Sequence, residues 1–126
     1  MKMMFKKIED IEAWKRGCRL AVEIYKETNS DPFSKDWGLR DQIRKSVVSI
    51  PSNIAEGFER ESSAEFKRFL LIAKGSCGEL RTQLYIAQAL EYITKSKVEQ
   101  LINECKEISS MMSGIISHLR NQMDSK

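Results

Sequence analysis

The hydrophobic residues of this chain recur at intervals of three and four, the spacing that places side chains on one face of a helix. In the first periodic stretch the steps are 3, 4, 3 and 4, and they predict a helix over about residues 10–29. Leu20 and Ile24 fall outside the predicted core-facing stripe. That stripe consists of Ile11, Trp14, Cys18, Ala21 and Tyr25.

A second helix is predicted over about residues 36–60, although it contains a proline. Pro51 removes one backbone hydrogen bond and clashes with the preceding turn, so we expect a kink near Val47–Pro51 within one continuous helix. The apolar pattern continues unbroken on both sides of it. The predicted buried positions are Leu39, Ile43, Val47, Ile50, Ile54 and Phe58.

Two further helices are predicted over about residues 63–92 and 96–122. Capping boxes of a serine followed three residues later by glutamate, Ser62 with Glu65 and Ser96 with Glu99, indicate where they begin. Gly75 and Gly78 suggest that another backbone approaches the third helix closely. The two stripes are Phe66, Phe69, Leu70, Ala73, Cys77, Leu80, Leu84 and Ala87, then Val98, Leu101, Cys105, Ile108, Met112, Ile115 and Leu119.

Short connections between long helices force sequential neighbours to run antiparallel, so the sequence predicts an all-α, up-down-up-down four-helix bundle. With 126 residues, the expected organisation is a single domain over 1–126. Ile102, Ile116 and Met123 widen the last stripe. Together with Leu20 and Ile24 they suggest apolar surface left over for an assembly of several chains.

The sequence has few of the residue patterns that are typical of catalytic or metal-binding sites. His118 is the only histidine and has Ile115 three residues before it, so the Glu-x-x-His element of di-iron bundles is absent. Three widely spaced cysteines, Cys18, Cys77 and Cys105, are expected to be buried free thiols. We therefore expect no enzyme, cofactor, metal or small-molecule substrate, and with no secretory or membrane-spanning segment we expect a cytoplasmic protein.

Basic residues form rows at helical spacing. Lys67, Lys74 and Arg81 repeat every seven residues on the third helix, and Arg40 and Arg44 lie one turn apart on the second. Such rows can follow the phosphates of a nucleic acid. At a net charge of only +3, solvated helix faces are the alternative interpretation, and repetition around an oligomeric ring would favour polyanion binding.

The central segment Ser49-Ile50-Pro51-Ser52-Asn53-Ile54-Ala55-Glu56-Gly57 resembles the bacterial four-helix-bundle proteins encoded within intervening sequences of 23S ribosomal RNA genes. The likeness extends to Trp37-Gly38-Leu39 and Ala73-Lys74-Gly75-Ser76. The motif residues Pro51, Asn53, Glu56 and Gly57 have an architectural interpretation that we prefer, with short polar side chains serving the proline site.

The resemblance implies a homopentamer related to the accessory protein of diversity-generating retroelements, which associates with nucleic acid. It also makes Arg40, Arg44, Lys67, Lys74 and Arg81 candidates for a phosphate-facing surface that binds structured RNA or DNA. Two hypotheses stay open. One is a non-enzymatic, nucleic-acid-binding oligomer, and the other is a homo-oligomeric adaptor that binds another protein without contacting nucleic acid.

Overall fold

The computed structural model describes residues 4–124. Its four α-helices are α1 (Glu12–Glu27), α2 (Trp37–Glu59), α3 (Ser63–Ala89) and α4 (Lys95–Asp124), with short 3-10 turns at Ile8–Asp10 and Phe33–Lys35. Each helix packs against the next, and α4 also packs against α1, which closes the bundle. The prediction of an all-α four-helix bundle is confirmed.

The helix ends differ from the predicted ones by at most three residues. Asp36 caps α2 by accepting a hydrogen bond from the Leu39 amide at 3.1 Å. Ser62 caps α3 by accepting from the Glu65 amide at 3.3 Å, which confirms half of the predicted capping box, whereas the Glu65 carboxylate accepts from Arg68 at 2.8 Å. At α4 the prediction is wrong, because Thr94 accepts from the Lys97 amide at 3.2 Å and Ser96 lies inside the helix.

The helix α2 continues through Pro51, which is buried against α1. The close approach occurs at Gly17, where a Cβ atom would lie 3.3 Å from the Pro51 Cδ atom. Beside the proline, the Asn53 side chain donates to the Ser49 carbonyl at 2.8 Å. These contacts give the motif residues Pro51 and Asn53 an architectural role.

The other two motif residues lie one turn further along α2. Gly57 allows α3 to come close, since a Cβ atom there would lie 2.6 Å from the Cβ atom of Phe69. Glu56 accepts a hydrogen bond from Arg60 at 2.8 Å on the outside of the bundle. The close approach expected at Gly75 and Gly78 does not occur, because a Cβ atom at either position would meet nothing within 4 Å.

The face of α1 that enters the core is not the predicted one. Each buried residue lies one position before a predicted residue, and one position rotates a helix by about 100°. Trp14, Cys18 and Ala21 are half-buried, and Tyr25 is 43% exposed. The expectation that all three cysteines are buried therefore fails at Cys18. The buried residues of α1 are Ala13, Gly17, Leu20 and Ile24.

The apolar surplus expected on the fourth helix is absent at two of its three positions, and the third, Met123, is half-buried. Ile102 and Ile116 are 4% and 3% exposed, so both belong to the core. The core-facing stripe of α4 is wide because this helix contacts α1 on one side and α3 on the other. The exposed large apolar side chains of the helices lie on the other three instead: Val22 and Tyr25 on α1, Trp37 and Val48 on α2, and Leu71, Ile72, Tyr85 and Ile86 on α3.

Candidate nucleic-acid interface

The predicted basic row of α3 lies on the flank of that helix next to α4. Lys67, Lys74 and Arg81 are all half-buried there. Lys74 crosses to the neighbouring helix and donates a hydrogen bond to the Ser113 hydroxyl, with 2.6 Å between Nζ and Oγ. This contact fixes which residues of the two helices face each other.

The register brings two more cations to this surface. α3 and α4 run antiparallel, so moving forward along one helix corresponds to moving back along the other. Residues seven positions before and after Lys74 on α3 therefore lie opposite residues seven positions after and before Ser113 on α4. Lys106 aligns with Arg81, and Arg120 aligns with Lys67. Both α4 residues are exposed. We call these five residues the basic face: Lys67, Lys74, Arg81, Lys106 and Arg120.

The residues predicted from the sequence to face phosphates did not include the α4 half of the basic face. A signal was present, because Lys106, Ser113 and Arg120 repeat every seven residues just as the α3 row does. Glu99 continues the same repeat by one more step and aligns with Gln88, so the basic face ends there.

The five cations also differ from most others in their ionic contacts. Arg16 forms hydrogen-bonded ion pairs with Glu104 and Glu107, and Lys97 pairs with Glu23 at 2.9 Å. Further ion pairs hold Lys15, Arg19, Lys35, Arg40, Arg60 and Arg68. Across residues 4–124, no salt bridge involves a member of the basic face.

The field of this face reaches the two buried thiols beneath it. Burial raises the pKa of Cys77 to about 11 and that of Cys105 to about 12, so both thiols stay protonated at neutral pH. The positive charge of Arg81 acts in the opposite sense on both pKa values. Arg81 is therefore close to both cysteines, at the junction of α3 and α4.

The structure does not bring Arg40 and Arg44 to the basic face. The Arg44 guanidinium lies 4.4 Å from the centre of the Tyr25 ring and donates to the Thr28 hydroxyl at 2.8 Å. Arg40 pairs with Asp41 at 3.1 Å and donates to the Ser34 carbonyl. Both side chains thus make local contacts within α2 or toward α1 and the loop that follows it.

An apolar surface lies on the side of the bundle opposite the basic face. A cleft of about 360 Å³ between α1 and α2 is lined by Trp14, Cys18, Ala21, Val48, Pro51, Ser52 and Ala55. It is extended along α1 by Val22 and Tyr25, which are 54% and 43% exposed. We call this region the apolar cleft.

The part of the chain that the structure describes contains no cluster of three histidine, cysteine or acidic side chains able to hold a metal ion. None of the four helices has an apolar stretch of the length and hydropathy needed to span a bilayer.

Comparison with known proteins gives a consistent result. Residues 9–114 match the family model described as 23S rRNA-intervening sequence protein. A crystal structure of a protein of unknown function from the S23 ribosomal protein family of Bacteroides thetaiotaomicron is 30% identical, with a TM-score of 0.75. The match covers 82% of this chain and 97% of that one. No curated protein matches the sequence. Since the family model spans most of the chain and the solved relative has the same fold, the protein belongs to the family of 23S rRNA-intervening sequence proteins.

Proposed function

We propose that this protein is a non-enzymatic, homo-oligomeric nucleic-acid-binding protein that contacts the phosphate backbone of RNA or DNA through its basic face. The observation that carries the proposal is the concentration of cations without ion-pair partners on the α3–α4 side. A cation already paired with a carboxylate gains little from a phosphate, whereas an unpaired one contributes through counterion release.

The dimensions of the face suit a backbone contact. Seven residues of helix rise about 10.5 Å, so each row spans roughly 21 Å, and neighbouring helices lie about 8–10 Å apart. Double-stranded DNA carries one charge per about 1.7 Å of its axis, so a duplex offers several phosphates over this length. Lysine and arginine rows of this kind predict strong salt dependence and little sequence preference.

Assembly would multiply this contact. The apolar cleft lies on the α1–α2 side, so a neighbouring chain bound there leaves the basic face free. Repeated basic faces in one ring would act together on a long polyanion, which raises avidity beyond that of one chain. The homopentamer implied by the family resemblance is the form that we propose.

A protein adaptor is the second candidate, and the apolar cleft favours it. In that case the cleft binds a different protein, and the basic face is simply solvated. The two functions differ in their response to salt and to charge reversal on α3.

Fluorescence anisotropy of labelled structured RNA and duplex DNA tests the proposal. With five phosphate contacts, log Kobs on DNA falls with log salt at a slope of about −4.5, or roughly 500-fold between about 50 and 200 mM salt. Lys67→Glu, Lys74→Glu and Arg81→Glu together leave two contacts and a slope of about −1.8.

A matched control separates position from net charge. Lys26, Lys45 and Lys95 are exposed and form no salt bridge within residues 4–124. Reversing these three also changes the net charge from +3 to −3, since each reversal removes two charges. Equal loss of binding in both triple variants would contradict a specific basic face, and no binding by the wild type would favour the adaptor.

The oligomer is tested separately by light scattering. Val22→Glu with Val48→Glu places two charges in the apolar cleft and should dissociate the assembly while the helix content stays unchanged. Ile86→Glu, at a position 45% exposed on α3, is the matched control. A monomeric wild type, or a double variant that assembles like the wild type, would contradict the proposed role of the cleft.

A further inference from the structure

A polar groove runs between α2 and α3, one side of the bundle away from the basic face. It encloses a cavity of about 440 Å³. Besides Ile72, seven polar residues line it, four from α2 and three from α3: Gln42, Lys45, Ser46 and Ser49, and Ser76, Glu79 and Gln83. Its volume lies within the range of small-molecule sites.

One side chain of this groove has a buried polar atom without a hydrogen-bond partner among the described residues. Gln83 is only 9% exposed, and its Oε1 atom has no hydrogen-bond partner in residues 4–124. Buried polar atoms in folded proteins are almost always hydrogen-bonded, so an unpaired one calls for an explanation. The groove beside Gln83 is where a donor from outside the chain would bind.

The register orders the other groups along the groove. The hydroxyls of Ser49 and Ser76 lie 2.8 Å apart and set the alignment of the two antiparallel helices. One turn from this contact Lys45 aligns with Glu79, and a further turn on Gln42 aligns with Gln83. Lys45 and Glu79 thus lie opposite each other across the groove, yet neither forms a salt bridge in the described part of the chain.

We propose that this groove binds a free α-amino acid with a carboxamide side chain. The ligand carboxylate binds Lys45, its ammonium group binds Glu79, and its side-chain amide pairs with Gln83 one turn further along α3. A zwitterion satisfies two opposite charges that do not bind each other. A carboxamide can donate to Oε1 and accept from Nε2, so it matches both ends of the buried amide.

The same groups argue against a phosphate ligand. The groove offers one lysine, and Glu79 would repel a polyanion beside it. The site is therefore distinct from the basic face, and the inference does not depend on nucleic-acid binding.

Isothermal titration calorimetry of the full chain tests the inference. L-Glutamine and L-asparagine should bind with dissociation constants at or below about 1 mM. L-Leucine, L-glutamate and the uncharged amide propionamide should each bind at least about 10-fold more weakly, because each lacks one of the recognised groups. No heat of binding with either carboxamide amino acid at about 10 mM would overturn the proposal and leave water as the partner of Gln83.

Variants locate the site. Gln83→Leu should weaken glutamine binding about 10-fold or more and leave leucine binding unchanged. Lys45→Met changes an exposed residue and should weaken the binding of every amino acid. It keeps the test valid if Gln83→Leu, at a buried position, fails to fold. Gln88→Leu and Lys95→Met are controls that should bind as the wild type does. Binding unaffected by both Gln83→Leu and Lys45→Met would overturn the location.

The two proposals can fail independently. The triple reversal of the α3 row should leave amino-acid binding unchanged. Loss of amino-acid binding in that variant, with its fold intact, would contradict a separate groove.

Discussion

The close approach of α2 and α3 at Gly57 predicts an unusual response to alanine. Replacing a glycine inside a helix by alanine ordinarily stabilises the helix by about 1 kcal/mol. At Gly57, however, the new Cβ atom would lie 2.6 Å from the Phe69 Cβ atom and 3.3 Å from the Phe66 Cα atom. Carbon atoms prefer about 3.5–4.0 Å, and both of these neighbours are fixed to the α3 backbone. The two helices must therefore separate.

The magnitude follows from these two opposing terms. Overpacking that shifts backbone costs up to about 3 kcal/mol, and the helix gain offsets about 1, so Gly57→Ala should lose about 2 kcal/mol of unfolding free energy. Urea unfolding followed by circular dichroism measures this. With a slope near 2 kcal/mol per M, the midpoint should fall by about 1 M. Protein concentration must be equal in all samples, because assembly contributes to apparent stability.

Gly75→Ala is the matched control. A Cβ atom at Gly75 meets nothing within 4 Å, so only the helix gain applies and the midpoint should rise. If Gly57→Ala is as stable as the wild type, or if both variants lose similar stability, the close packing of α2 on α3 at this glycine is refuted.

Three further predictions concern the core, a cap and an ion pair. Leu80 is fully buried, so Leu80→Ala should cost about 2–5 kcal/mol, and a loss below about 0.5 kcal/mol in urea unfolding would contradict its core position. Thr94→Ala should cost about 1 kcal/mol by the same assay, whereas Ser96→Ala should cost little, because Thr94 caps α4. The hydrogen bond from Arg16 lowers the pKa of Glu104 below its ordinary 4.5. The Arg16–Glu104 contact therefore contributes fully to stability above about pH 4.5, the ordinary pKa of the carboxyl group, and this contribution is lost as the pH falls through the lower pKa that Glu104 has in the folded state. Unfolding curves from about pH 6 to 3 should show a steeper acid loss for the wild type than for Glu104→Gln, and parallel curves would contradict the coupling.

The arrangement of surfaces has a consequence for how the protein works. The apolar cleft on α1–α2 and the basic face on α3–α4 lie on opposite sides, so assembly and polyanion binding need not compete. The polar groove on α2–α3 lies between them. A ligand there contacts both the helix that carries half of the cleft and the helix that carries half of the basic face.

The sequence alone determined the helical fold, and it identified the core faces of α3 and α4. On each of these helices one apolar stripe continues along the whole length at steps of three and four, whereas the exposed apolar residues of α3, such as Leu71 and Tyr85, form no continuous stripe. Every residue of the two predicted stripes is buried. The α3 half of the basic face was predictable for the same reason, since a seven-residue repeat keeps side chains on one flank of a helix.

Only the tertiary structure decided the orientation of α1. Two adjacent stripes step by three and four along this helix, one containing Leu20 and Ile24 and the other containing Trp14 and Tyr25. Periodicity does not choose between them, because both fit the helical repeat equally well. The choice depends on packing: Gly17 lets α1 approach Pro51, which turns Leu20 and Ile24 into the core and leaves Trp14 half-buried and Tyr25 exposed.

Helix register was likewise decided in three dimensions. The sequence places Lys106 and Arg120 on one flank of α4 but does not say what lies opposite them. The Lys74–Ser113 contact aligns them with the α3 row, and the Ser49–Ser76 contact aligns Lys45 with Glu79. A sequence determines which side chains share a helix face, because that is a property of one local repeat. Which faces meet depends on how far each helix slides along its neighbour, and that is set by the fit of both packed surfaces.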